Sequence, residues 1–396
     1  MKRVILLADM NSFFASCHQA VQPELKDKEV IVAGDPAKRT GIVLAASYPA
    51  KARGVKTGMP VWQAKQLCPD GYYFKPDHRL YIDFSSRILR IMRDFTDLVE
   101  PFSIDEAFAD LTGVMHLWNN PGEAAGRLKE RIRSEVGVLC SVGIGPNKLI
   151  AKMVSGVRKP DGLTIVESID SFKKIFWPMP VRELFGIGPG YEKHLRYYNV
   201  HTIGDLANFP VEVLKKRWGK NGQMLWMCAN GIDCSPVVPA SLDVSKSIGQ
   251  QRTLARDIKG FQQIKVVMLE LSEIVARRVR QGGYVGRTVV LTLRDTDLRF
   301  FSRSRSMAEF TDLPDEIYRT ACDILYDCWD WSRAVRLVGI TLGNLIKRDY
   351  FQYDMFGERA RMARLARACD KVKDRFGEKA VVRGVALTEG SLLNNG

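Results

Sequence analysis

Three carboxylates set the chemistry this chain can do. Asp9 ends an apolar run, Val4-Ile5-Leu6-Leu7-Ala8-Asp9, and Asp105 and Glu106 sit side by side in a second mostly apolar stretch from Val99 to Leu111. Both runs read as buried strands. A carboxylate at the end of a buried strand is costly to leave unpaired. Divalent cations are one way to compensate it, and hard ions such as Mg²⁺ take oxygen ligands and keep positions open for phosphate. Two such ions about 4 Å apart can clamp the attacking and leaving oxygens of a phosphoryl displacement. Either run taken alone fits equally well a strand end that faces water.

Several cationic segments suit a polyanion. Ser47-Tyr48-Pro49-Ala50-Lys51-Ala52-Arg53-Gly54-Val55-Lys56 sets a tyrosine among three cations, a place for a triphosphate held by Tyr48, Lys51 and backbone groups, or simply a solvated basic loop. Lys148 and Lys152 are spaced i,i+4 and share a helix face, where a phosphate between them would relieve their repulsion. Arg158-Lys159-Pro160 adds further cations just after. Gly186-Ile187-Gly188-Pro189-Gly190 lies between two helical patterns. Its exposed backbone N–H groups can hold one backbone phosphate, or it is a plain glycine-capped turn. Lys246, Ser247, Arg252, Arg303 and Arg305 mark strands near the C-terminal end. Arg303 and Arg305 are two apart and so share a strand face, open either to a phosphate backbone or to solvent. The five histidines form no metal or paired spacing, and no nucleophile triad is evident.

The elements that must position these groups alternate along the chain. Strand and helix alternate through residue 145, with helices expected over 79–96 and 122–136 and a strand over 139–145. Short helices with Gly and Pro punctuation fill 165–235, and a Pro-containing linker follows. From 247 to 346 the pattern is strand, helix, strand, strand, helix, strand. The tail is expected to be partly helical and is rich in arginine between 359 and 375. The 396 residues suffice for two to four domains, and no apolar run reaches the length of a membrane span. The N-terminus enters a strand with no signal-peptide pattern. Eight scattered cysteines without metal spacing suggest free thiols in a reducing cytoplasm. A formal net charge of +14 points to a polyanionic partner, nucleic acid or membrane surface.

Taken in order, Asp9-Met10-Asn11-Ser12-Phe13-Phe14-Ala15, Tyr48-Pro49-Ala50-Lys51-Ala52-Arg53-Gly54-Val55, Ser103-Ile104-Asp105-Glu106-Ala107, Ser141-Val142-Gly143-Ile144-Gly145-Pro146-Asn147-Lys148, Lys159-Pro160-Asp161-Gly162 and the 186–190 motif resemble the Y-family of translesion DNA polymerases. The bacterial polymerase IV and polymerase V catalytic-subunit branch is the nearest match. The resemblance covers about 1–345 and implies an α+β right hand. Its palm would span 1–25 and 77–165, its fingers 26–76, and its helical thumb with a helix-hairpin-helix 166–235. A linker at 236–242, a β-α-β-β-α-β little finger at 243–346 and a tail at 347–396 would follow.

The resemblance assigns Asp9, Asp105, Glu106 and the Met10 carbonyl to two Mg²⁺ ions. It assigns Phe13, Phe14, Tyr48, Lys51 and Lys159 to the nucleotide, with Phe14 as the steric gate against a ribose hydroxyl. DNA would meet Lys148, Lys152, Gly186, Gly188, Gly190, Lys246, Ser247, Arg252, Arg303 and Arg305. Gln352, Asp354, Met355 and Phe356 resemble the pentapeptide that docks bacterial polymerases on the sliding clamp. Relatives usually carry arginine and threonine where this chain has Lys51 and Ala45; Arg53 would substitute in part, and Ala45, Ala46 and Ser47 suggest a roomy site. Implied partners are primer-template DNA, a deoxynucleoside triphosphate and the clamp, with no membrane, a monomeric state and a cytoplasmic location. Two other readings stay open. A palm-fold nucleotidyl cyclase would not extend a primer, and a non-catalytic DNA-binding scaffold of the same shape would show no metal-dependent activity.

Overall fold

The structure is a computed structural model that describes residues 3–35, 41–239, 244–350 and 357–387. Two compact units divide the chain between Asp243 and Val244.

The first unit opens with β1 (Ile5–Met10), α1 (Phe13–Val21), β2 (Val30–Ala33), β3 (Val43–Ala46), α2 (Tyr48–Ala52), α3 (Val61–Leu67) and β4 (Tyr72–Phe74). It continues through α4 (His78–Arg93), β5 (Val99–Pro101), β6 (Glu106–Asp110), α5 (Pro121–Val136), β7 (Cys140–Gly145), α6 (Lys148–Ser155) and β8 (Leu163–Ile165). Helices α7 (Ile169–Phe176), α8 (Pro189–Tyr197), α9 (Ile203–Asn208), α10 (Val211–Trp218) and α11 (Lys220–Ala229) complete it.

Five strands form the main sheet in the order β5-β6-β1-β7-β8. Strand β1 is central, antiparallel to both β6 and β7, with Asp9 opposite Glu106 and Ser141. Alternation along β1 decides what each face buries. Leu6, Ala8 and Met10 enter the large core under α4 and α5. Ile5 and Leu7 turn the other way and pack with Phe108, Ala151 of α6 and Val237. By the same parity Asp9 faces the α6 side. The helices that brace the sheet are set by their ends. Asp77 caps α4 by accepting the Arg79 and Leu80 N–H groups. Asn120 caps α5, which stops at Gly137 with φ +82°.

A small three-stranded sheet, β3-β2-β4, inserts between the halves of the main sheet. The basic segment after it is partly helical: Pro49 near the N-terminus of α2 costs no hydrogen bond there. Helices α7 to α11 gather around a separate core that includes Phe172, Leu195, Leu206 and Leu225.

The second unit holds β9 (Ser247–Ile258), α12 (Phe261–Gln281), β10 (Tyr284–Asp295), β11 (Phe300–Thr311), α13 (Pro314–Cys328), β12 (Val335–Gly343), β13 (Ile346–Lys347) and α14 (Glu358–Phe376). Its sheet order is β11-β10-β12-β9, with both long helices on one face. No helix among the described residues is long and apolar enough to cross a membrane.

Candidate active site

The register that pairs β1 with β6 sets Asp9 beside Glu106, and strand parity aims both toward α6. Asp9 is only 5 % exposed. Lys152 of α6 pairs with Glu106 and stands 3.6 Å from Asp9. Lys159 Nζ donates to Asp9 Oδ1 at 2.6 Å. Burial, and then a hydrogen bond with Asp9, push the Glu106 carboxyl up to about 7 from an ordinary 4.5. The two acids thus share the Lys152 ammonium, Asp9 takes that of Lys159 as well, and the Glu106 carboxyl is the one whose charged form is disfavoured.

A third cation stands beside them. Lys51 Nζ donates to Ser12 Oγ at 2.8 Å and lies 4.7 Å from the centre of the Tyr48 ring. Burial, and then the neighbouring Lys159, lower the Lys51 ammonium from its usual range, opposed by Asp9. Burial and the Asp9 charge raise the Tyr48 phenol. Ser12 adopts a left-handed conformation (φ +49°) as the cap of α1, which turns the chain sharply from strand to helix. Phe14, the second residue of α1, stacks on Tyr81 with ring centres 4.0 Å apart and planes at 11°.

The geometry separates residues that sequence spacing had grouped. The Asp105 carboxylate accepts from Ser103 Oγ at 2.6 Å, while its backbone carbonyl accepts from Met10 N–H at 2.9 Å. No group of three or more His, Cys, Asp or Glu side chains that could hold a metal ion is present among the described residues. Asp105 lies in the bend before β6, and there its carboxylate is held locally by Ser103. Lys148 does not share a phosphate site with Lys152, because both oxygens of the buried Glu100 take its ammonium at 2.8 Å. Phe13 is a core residue, since a step of one position along a helix turns its ring inward while Phe14 stays half-buried. Arg53 is held by Glu29 at 2.7 Å. Ser47 is buried and ties Lys28 O and Val30 N together at 2.9 Å each, so it adds strength rather than room.

At the 186–190 motif, Gly186 takes φ +92° and Gly188 caps α8 with no side-chain partner. Gly188 and Gly190 border open space. The C-terminal sheet corrects a phase. Arg252, Arg303 and Arg305 pair across the strands with Val338, Leu291 and Val289, which are buried under the helices. They therefore lie on the helix face, where Arg305 reaches Asp327 of α13 at 2.8 Å. The opposite, open face carries Ser302, Ser304, Ser306, Thr288, Thr292 and Thr341, together with Ser247. Lys246 precedes β9 and is exposed. Gln352, Asp354, Met355 and Phe356 lie outside the described residues.

One participant was not picked out from spacing. Asn11 is 2 % exposed; it donates to Ser141 Oγ at 2.9 Å and accepts the Asp161 N–H at 2.7 Å. That bond fixes the loop that brings Lys159 to Asp9. A polar residue between a buried strand and a helix was the available signal, because such a group must find partners.

Residues 8–156 match the impB/mucB/samB family, residues 245–355 its C-terminal domain, and residues 182–233 the DNA polymerase-iota thumb domain. A DNA polymerase IV of Pelotomaculum thermopropionicum is 58 % identical over 393 residues, covering 99 % of this chain and 98 % of the relative. A DNA polymerase IV of Moorella thermoacetica is 56 % identical with the same coverage, and a DNA polymerase IV 2 of Bacillus subtilis is 42 % identical over 98 % of this chain and 95 % of the relative. Among solved structures, a Y-family DNA polymerase chimera superposes with a TM-score of 0.75 at 26 % identity, over 87 % of this chain and 99 % of that one.

Proposed function

The chain belongs to the impB/mucB/samB family of Y-family DNA polymerases, and from that premise we propose that it is a template-directed translesion DNA polymerase that works at the Asp9/Glu106 site. The observation that carries this reading is the pair of buried carboxylates opposed in register and ringed by Lys51, Lys152 and Lys159. Such a place attracts both a divalent cation and a triphosphate.

The donor chemistry fits a hard cation. Two carboxylates sit side by side, and one of them is destabilised in its charged form. Asp9 and Glu106 would hold two Mg²⁺ ions, with Asp105 as a third carboxylate ligand and the Met10 carbonyl beside them. Freeing Asp105 from Ser103 costs about 1 kcal/mol. Bound there, the ions supply Lewis-acid activation of the primer 3′-hydroxyl and charge stabilisation of the departing pyrophosphate.

The chain's own side chains do the rest. Tyr48, Lys51 and Lys159 bind and orient the triphosphate, and Lys51 acts as a point charge where an arginine would form a two-pronged fork. Phe14, held flat on Tyr81, excludes a ribose 2′-hydroxyl by collision. The glycines at 186–190 receive a backbone phosphate of the duplex at the start of α8. On this reading the palm is 1–25 and 77–165, the fingers 26–76, the thumb 166–235 and the little finger 243–346. The open hydroxyl-rich sheet face of the little finger then lies toward DNA. Gln352 to Phe356 dock the sliding clamp, and the enzyme acts as a monomer in the cytoplasm.

Primer extension on damaged and undamaged templates, with and without clamp, tests the reading. Asp9→Asn should lower extension on the order of 10³-fold, about 4 kcal/mol, while duplex binding stays near wild type. Phe14→Ala should raise ribonucleotide incorporation about tenfold to a hundredfold, the range available to a purely steric pocket. Normal extension by Asp9→Asn would remove the site; unchanged sugar selectivity would remove only the gate.

A further inference from the structure

Beyond β13 the chain makes an arginine-rich helix, α14, whose charges are sorted by direction. Its inward side carries acids that meet arginines of α12. Asp370 accepts from Arg280 at 2.7 and 2.9 Å, and Asp374 accepts from Arg277 at 2.6 Å. Arg359 at its start forks onto Glu316 of α13 at 2.9 and 2.8 Å. After the helix, Arg383 forks onto Asp315 at 2.7 and 3.0 Å and also reaches Glu273. These two-pronged pairs fix the rotation of α14 against the helix layer.

The outward side follows from that rotation. Arg361, Arg364, Lys371 and Arg375 are exposed and fall within one narrow stripe of the helix, with only Ala368 between them. None of the four has an ion pair among the described residues, and no acid of α14 shares the stripe. From Arg361 to Arg375 it runs about 21 Å. Helix α14 packs on the helix layer, so this stripe lies on the opposite side of the unit from the hydroxyl-rich open sheet face.

We propose that the outer face of α14 is a second nucleic-acid surface of this chain, one that takes the phosphate backbone of DNA without reading its sequence. A row of unpaired cations at this spacing matches a strand whose phosphates follow one another at a few ångströms of axial rise. Its length covers about six base-pair steps. A membrane surface fits less well. Insertion needs a continuous apolar face, yet the stripe itself carries no large apolar residue, Met362 and Leu365 line a groove against Val381 to Gly384, and the exposed Val372 and Phe376 stand beside the stripe without forming such a face. The surface would hold a DNA segment other than the one at the polymerase site, for example the strand ahead of or behind it.

The test uses the full chain and a set of four changes, Arg361→Gln, Arg364→Gln, Lys371→Gln and Arg375→Gln. Binding of a fluorescent single strand and of a long duplex is followed by anisotropy as salt rises from about 50 to about 200 mM. The slope of log affinity against log salt should become shallower by about 3 for the glutamine set. Steady-state extension of a short, saturating primer-template should not change. A matching set of lysine substitutions at the three arginines keeps the charge and should keep the wild-type slope. An unchanged slope in the glutamine set overturns the proposal. So does an equal loss in the lysine set, which would assign the effect to helix integrity. The proposal is also overturned if the wild-type chain binds phosphatidylserine vesicles through these residues while its DNA slope is indifferent to them. A chain without polymerase activity that still shows the expected slopes would sink the functional reading above and leave this one standing.

Discussion

At the ends of two inner strands of the main sheet, Asp9 and Glu106 compete for Lys152, while Lys51 and Lys159 crowd each other; on the C-terminal unit, Arg280, Arg359 and Arg383 each grip a carboxylate with two nitrogens. Both regions are dense in charge, and both lie partly out of water. In the first, no pairing satisfies every group, and burial, then the neighbouring Asp9, push the Glu106 carboxyl up to about 7. In the second, each of these three arginines finds a carboxylate of matched shape. The difference separates a place shaped for a ligand from a place shaped to hold two pieces of one chain together.

The contrast makes opposite signs testable. Glu106 titrates higher in the folded chain than in the unfolded one, so folding favours its protonated form. The corresponding stability is fully present below about pH 4.5 and is lost as the pH rises through about 7. Glutamine mimics the protonated acid at every pH. In buffer free of divalent ions, Glu106→Gln should therefore stabilise the chain by up to about 3 kcal/mol at pH 8, with the gain vanishing near pH 4.5. Thermal melts across that range measure it. A variant less stable than wild type at pH 8 would break the comparison at its first term.

The second term should respond the other way. Arg280 is nearly buried, and Asp370 is 15 % exposed in its shadow. Arg280→Ala leaves that carboxylate without its fork and should destabilise the C-terminal unit by about 2 kcal/mol, somewhat under the figure for a fully buried pair. It should also make the junction near Gly357 more open to protease. Glu106→Gln and Arg280→Ala thus remove one charged group each and should move the melting temperature in opposite directions.

The same contrast explains what could be read in the sequence. The carboxylate strands were visible because an apolar run that ends in an acid has few cheap arrangements. Helices α4 and α5 were visible because their apolar spacing and end residues agree. The strand-helix order from 247 to 346 follows the same alternation, and the structure shows it as β9-α12-β10-β11-α13-β12. Phase was not visible. Arg303 and Arg305 alternate with Ser302, Ser304 and Ser306, and period two says which residues share a face but not which face two helices will cover. Nor could spacing tell that Lys148 would meet Glu100 and Lys152 meet Glu106, since that choice depends on the register of strands far apart in the chain. Asp105 shows a local version of this: adjacent acids read as a pair along the chain, yet Asp105 sits in the bend before β6, where Ser103 holds its carboxylate. The C-terminal tail was legible as partly helical and rich in arginine, but the rotation of α14 was not, because a set of long-range arginine forks fixes it.

The smallest effect is expected at Arg53, and it sharpens the comparison from the matched side. Arg53 stands close in sequence to Lys51, and a second cation there looks like a spare for the triphosphate. Its guanidinium is 61 % exposed and already held by Glu29, just before β2. A pair this open to water contributes little to stability, well under about 1 kcal/mol. Arg53→Gln should shift the melting temperature hardly at all and leave the KM for nucleotide near wild type, whereas Lys51→Gln should raise that KM. If Arg53→Gln raises KM as much as Lys51→Gln, the guanidinium leaves Glu29 when nucleotide binds. A paired charge would then be no guide to scaffold, and the line drawn between the two regions would have to move to burial alone, with Lys51 and Arg53 on the same side of it.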